Sequence, residues 1–135
     1  MDQSLDKLKL SRKDFQLILV LFAFDIGLTF YGIFFSGGSE GSPFFRPFTS
    51  GLDLFVAGSL IYIGILSVLN VLLSGRFRTV LSSTAIGMHI GGIISWIIFV
   101  SSIERGTSVS YLFLVTISLA TATAYSELKK RGWTY

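Results

Sequence analysis

The 135-residue chain has no cysteine. That absence excludes a disulfide framework and any thiolate metal site. It has one histidine, His89. A catalytic zinc site takes three or more protein ligands, so no zinc enzyme is expected, and no cofactor is implied. Charge is scarce, at 14% of residues, where soluble domains carry about a quarter. The only two prolines, Pro43 and Pro47, share one loop. Serines are plentiful, yet no motif singles out a nucleophile with an oxyanion hole, so an intramembrane hydrolase is not the expected reading.

What the chain has in quantity is apolar surface. It is 51% hydrophobic and 15% aromatic, which points to one integral membrane domain over residues 1–135. Four apolar stretches stand out, at about 15–35, 54–73, 79–101 and 109–128. Each is long enough to cross a hydrocarbon core of about 30 Å at about 1.5 Å per residue. The fold class expected is therefore an all-α membrane protein of four transmembrane helices. The loops after the second and third helices are short, which suggests an up-down bundle. The first stretch is too long for the apolar part of a cleavable signal peptide.

Basic residues orient such a bundle. Lys7, Lys9, Arg12 and Lys13 precede the first helix, Arg76 and Arg78 lie in the second loop, and Lys129, Lys130 and Arg131 are in the tail. Only Arg46 and Arg105 fall on the other side. That asymmetry predicts both termini in the cytoplasm and a place in the cell membrane. Trp96 and Tyr111 then fall toward the outer interface, Tyr125 and Trp133 toward the inner, as an aromatic belt. The pI near 9.4 comes from this topological pattern, so no nucleic acid is expected as a partner. The partners expected are the lipid bilayer and other membrane protein subunits.

The chemistry concentrates in few places. Asp25 interrupts the run "LFAFDIGLTF" about 18 Å above Lys13, near mid-membrane. A central Asp costs about 2.5–3.5 kcal/mol on insertion scales. Fourteen large apolar residues in the same stretch supply roughly −4 to −8 kcal/mol, so the helix still inserts. Exposure to lipid would remain costly, so Asp25 is expected to face protein or water. Thr29 and Gly32 share its face at i+4 and i+7.

His89 lies about 16 Å beyond Arg78 in a helix of the same direction, at nearly the same depth. Gly87, Gly91 and Gly92 around it make a surface for close helix packing. Ser67, Ser118 and Thr121 are placed near that layer as well. The expected intramembrane polar cluster is thus Asp25, Thr29, His89, Ser67, Ser118 and Thr121, with His89 as the first-choice partner of Asp25. It can be read as a proton or cation relay, or as a structural hydrogen-bond network.

Elsewhere, Asp53 reads as a helix-start cap, Glu127 as a solvated interfacial charge, and Glu40 as a plain residue of the glycine-rich loop, with screening of Arg46 or lining of an outer mouth as the alternatives. The first loop, "SGGSEGSPFFRPFTSG", is too aromatic to be merely solvated. Phe44, Phe45 and Phe48 are expected to cap the bundle or dock on a partner.

"FDIGLTFYG" followed by "GSEGSPFFRPF" resembles the signature of a family of small four-helix membrane proteins, many of them archaeal. That pattern pairs an Asp and a Thr in the first helix with a Glu and a Pro in the next loop, here Asp25, Thr29, Glu40 and Pro43. Ser42 stands where family members commonly have Asn. The resemblance implies the fold and no particular activity. Two functions stay open: an accessory, non-catalytic subunit of a larger membrane complex, of respiratory or membrane-monooxygenase type, or a small oligomeric proton- or cation-coupled transporter or channel using Asp25.

Overall fold

The structure, a computed structural model, describes residues 2–40, 43–73, 75–102 and 111–132. It has four helices: α1 Asp2–Phe34, α2 Leu52–Leu72, α3 Gly75–Ser102 and α4 Tyr111–Lys130. Among the described residues there is no strand. Three helices contain segments long and apolar enough to cross a membrane: Arg12–Phe34, Leu52–Leu72 and Phe77–Ser101.

α1 begins well before the expected residue 15 and carries the basic N-terminal segment on the same helix. The reason is local: residues 2–26 contain neither Gly nor Pro, so nothing breaks the pattern. The helix stops at Gly37, which takes φ +69°, a left-handed conformation open to glycine at little cost. The Gly38 N–H then closes onto the Gly32 carbonyl at 2.8 Å. α4 ends the same way, with Gly132 at φ +79°. Its last turn holds Lys129 and Lys130, which favour the negative end of the helix dipole.

Residue pairs fix the helix directions. Asp25 lies against Gly92, Gly32 against Trp96 and Gly38 against Phe99, so α1 and α3 run parallel. Phe30 and Phe34 meet Phe55 while Phe22 meets Tyr62, so α2 runs antiparallel to α1. Gly87 lies against Ala122 and Gly91 against Leu114 and Ser118, so α4 runs antiparallel to α3.

Directions therefore alternate, but among chain neighbours only α3 and α4 are closely packed. α3 is the hub, most extensively packed on α4 and next on α1, while α2 touches α1 and α3 sparsely. Glycine explains the departure. Gly87 and Gly91 open one face of α3 to α4, where an added Cβ would meet the Ser118 carbonyl and hydroxyl. Gly92, on another face, opens to α1. Small residues let helix backbones approach closely in the absence of water. The buried core around Ile18, Leu66, Ala85, Ile86 and Tyr125 lies along these contacts.

The first loop packs back onto the bundle. A short 3-10 turn at Arg46–Thr49 begins with Pro47 near its start, and Phe48 sits over Gly58 of α2. Phe45 meets Phe55 edge-on at 5.7 Å, and Phe55 also meets Phe30 and Phe34. Such ring pairs contribute about 0.5–1.5 kcal/mol beyond area burial. Phe45 and Phe48 are thus engaged within the chain, whereas Phe44 is 82% exposed. Glu40 is buried, and its main-chain carbonyl accepts from Arg46 Nε at 3.0 Å.

One other expectation is corrected. Asp53 is no cap: Gly51 occupies the cap position without a side-chain bond, and Asp53 lies in the first turn, where an acid suits the helix dipole. Trp96 and Tyr125 are buried: Gly32 admits the indole and Asp14 binds the phenol. The belt positions of Tyr111 and Trp133 lie outside the described residues and side chains.

Candidate functional site

Three helices each contribute one proton-exchanging side chain to a single hydrogen-bonded chain. Asp25 Oδ2 of α1 is 2.8 Å from His89 Nδ1 of α3. His89 Nε2 is 2.8 Å from the Tyr62 hydroxyl of α2. With hydrogen on Nδ1, the imidazole donates to Asp25 and accepts from Tyr62, and both ring nitrogens are satisfied.

Local sequence builds this geometry. Gly92 is one turn beyond His89 on α3. A Cβ there would lie 2.5 Å from Asp25 Oδ1, so a larger residue would displace the carboxyl from this position. Phe22, almost one turn before Asp25, stacks on Tyr62 at 5.2 Å and sets its edge to His89 at 5.5 Å. The apolar ring excludes water from the His89–Tyr62 bond and strengthens it. The His89 side chain keeps 6% of its surface and that of Asp25 keeps 20%. The chain is buried at its central histidine and half-buried at both ends, Asp25 and Tyr62.

The other residues read from sequence fall in different places. Thr29 is buried, and its hydroxyl donates to the Asp25 main-chain carbonyl at 2.8 Å. Gly32 holds Trp96. Ser67 and Thr121 do not join the cluster: each donates to the carbonyl four residues back, Ile63 at 2.7 Å and Ile117 at 2.8 Å. A hydroxyl inside a helix has that acceptor always within reach. Ser118 lies at the α3–α4 contact against Gly91.

Tyr62 is the member that sequence reasoning missed. It sits ten residues from either end of α2. Tyrosine ordinarily favours the membrane–water interface, so a tyrosine at mid-span is itself the signal of a buried partner.

A second cluster ties α1 to α4 at their basic ends. The Tyr125 hydroxyl donates to Asp14 Oδ1 at 2.5 Å, and Lys129 Nζ lies 3.0 Å from the same oxygen. The Lys129 ammonium also sits 5.5 Å over the Tyr125 ring. Glu127 pairs with Lys130 at 2.7 Å on the exposed side. Among the described residues, no three His, Asp or Glu side chains converge to hold a metal ion.

A scan against family models finds no match, and searches of curated proteins and of solved structures find none. The family resemblance in "FDIGLTFYG" and "GSEGSPFFRPF" therefore rests on those residues alone.

Proposed function

We propose that the protein is an accessory, non-catalytic subunit of a larger complex in the cell membrane. In this reading all four helices span the bilayer, both termini are cytoplasmic, and the host is a large assembly of respiratory or membrane-monooxygenase type. The observation that carries it is the loose attachment of α2. Its outward face shows Val56, Leu60, Ile61, Ile65 and Val68, each about half exposed or more. Gly64 lies in the middle of that face, and a Cβ added there meets nothing within 4 Å. Helices in lipid associate through small residues that admit close approach, so a neighbouring subunit's helix is a natural cover for this face. Phe44, exposed at the loop end, would extend the same contact.

Photo-crosslinkers placed at Leu60 and Ile65 in native membranes test the reading. The expected product is one defined membrane protein, which also co-purifies with the unmodified chain. Adducts to lipid alone would refute it. A second reading, a small oligomeric proton- or cation-coupled transporter or channel using Asp25, is favoured by the partial exposure of that carboxyl at mid-span. It wins if the purified protein is a stable homodimer that conducts ions in liposomes.

A further inference from the structure

We propose that Asp25, His89 and Tyr62 form a binding site for a single proton. The proposal stands whichever reading of the function holds, because it concerns what the site binds and not what the proton does next.

Counting hydrogens leads to it. In the unloaded state Asp25 is a carboxylate. His89 Nδ1–H donates to Oδ2, and the Tyr62 O–H donates to Nε2, across the two 2.8 Å contacts. Each bonding hydrogen of the chain is then in use, and the site carries one net negative charge. A net charge held away from water is costly unless it is neutralised. One added proton makes the site neutral, as a carboxylic acid on Asp25 or as an imidazolium against the carboxylate. The proton is shared by the pair, and the pair titrates as a unit. In the imidazolium form Nε2 gains a hydrogen and donates to the Tyr62 oxygen. The Tyr62 hydrogen then turns away from the ring. No bond between heavy atoms forms or breaks, and the solvent supplies the proton.

The histidine at the centre of the chain keeps 6% of its side-chain surface behind the edge of Phe22, while Asp25 and Tyr62 at its two ends are both half-buried. No other ionisable group described faces the site. α1 contributes Asp25, α2 Tyr62 and α3 His89. α4 meets α3 through Gly87 and Gly91, and its charged residues Glu127, Lys129 and Lys130 lie at its far end. Asp14 is eleven residues from Asp25 on α1, about 16 Å along the helix. Glu40 and Arg46 lie in the loop beyond Phe34.

His89 is the sole histidine, which makes the test direct. Full-length protein without a histidine tag, labelled with ¹⁵N-histidine, is placed in phosphatidylcholine nanodiscs and titrated between about pH 4 and about pH 9. Two signals are followed: the ¹⁵N shifts of the imidazole, and the carbonyl stretch of a protonated carboxyl in the infrared. The expected result is one reversible titration in at least one signal. Asp25→Asn should remove from the infrared band any part that Asp25 contributes and move the imidazole midpoint by about one pH unit or more, a tenfold change in proton affinity. Tyr62→Phe keeps the ring stacked on Phe22 and removes only the hydroxyl; it should move the midpoint while the protein stays folded. The proposal is overturned if neither signal changes across the range in the wild-type protein. It is equally overturned if Tyr62→Phe and Asp25→Asn both leave the midpoint where it was. Should Asp25→Asn fail to fold, the wild-type titration and the Tyr62→Phe midpoint decide between the same two outcomes.

Discussion

Replacing Gly92 by alanine adds one methyl group against Asp25. The new Cβ would stand 2.5 Å from Oδ1 and 2.7 Å from Oδ2, where ordinary contact begins at 3.4 Å. The carboxyl must retreat by about 0.9 Å. Along the bond, that stretches the 2.8 Å contact with His89 to about 3.7 Å, beyond hydrogen-bonding range. A hydrogen bond to a charged group contributes about 1.5–3 kcal/mol. Alanine returns up to about 1 kcal/mol through helix propensity. The net expectation, with the full propensity gain, is a loss of about 0.5–2 kcal/mol. Gly27→Ala is the control, because an added Cβ there meets nothing within 4 Å. It should be neutral or gain up to about 1 kcal/mol. Both variants are unfolded in mild detergent by added dodecyl sulfate and followed by circular dichroism, with the His89 ¹⁵N shifts recorded in parallel. The reasoning fails if Gly92→Ala is at least as stable as Gly27→Ala, or if its imidazole shifts match the wild type.

Gly87→Ala should loosen α4 from α3, since the added Cβ runs into the Ser118 carbonyl, which is backbone and cannot rotate away. Cysteines at 83 and 126 should cross-link less efficiently in the Gly87→Ala background than in wild type. In the first loop, the Phe48 N–H, bonded to the Phe45 carbonyl at 2.9 Å, should exchange slowly with deuterium; fast exchange throughout residues 37–50 rules out packing of this segment. Single cysteines at positions 4 and 108 should be labelled from opposite sides of the membrane, position 4 from the cytoplasm; labelling of position 4 from outside overturns the orientation.

Helix number and type were legible because the apolar runs are long and the breakers cluster between them. Depth was legible too: a rise of about 1.5 Å per residue brings Asp25 and His89 to one level, and their side chains lie 2.8 Å apart. Lateral order was harder to read. Short loops say which helices follow one another, whereas packing depends on which face of α3 is small, and α3 has two such faces, around Gly87 and Gly91 and at Gly92. Hydroxyl side chains were a poor guide for a different reason. Ser67 and Thr121 have acceptors on their own helices, so depth alone does not recruit them. Tyr62 went unread because tyrosines were sought at interfaces. The N-terminal extension of α1 was missed because hydropathy marks the part that can enter lipid and is silent on how far the helix continues beyond it.

The Asp25–His89 bond joins residues 64 positions apart in the chain. Its consequence is temporal. If the helices enter the bilayer in the order of their synthesis, at about 5–20 residues per second, α1 is in place for roughly 3–13 seconds before His89 is made. Tyr62 emerges during that interval and has no imidazole to bind. Asp25 must therefore enter the membrane without its partner, within the insertion machinery or carrying a proton of its own. The arrival of α3 then does two things at once: it brings the hub on which α1 and later α4 pack, and it relieves a carboxyl that has waited alone. A ribosome stalled with α1 and α2 inserted but α3 unmade would hold the protein at the stage where quality control has the most to recognise.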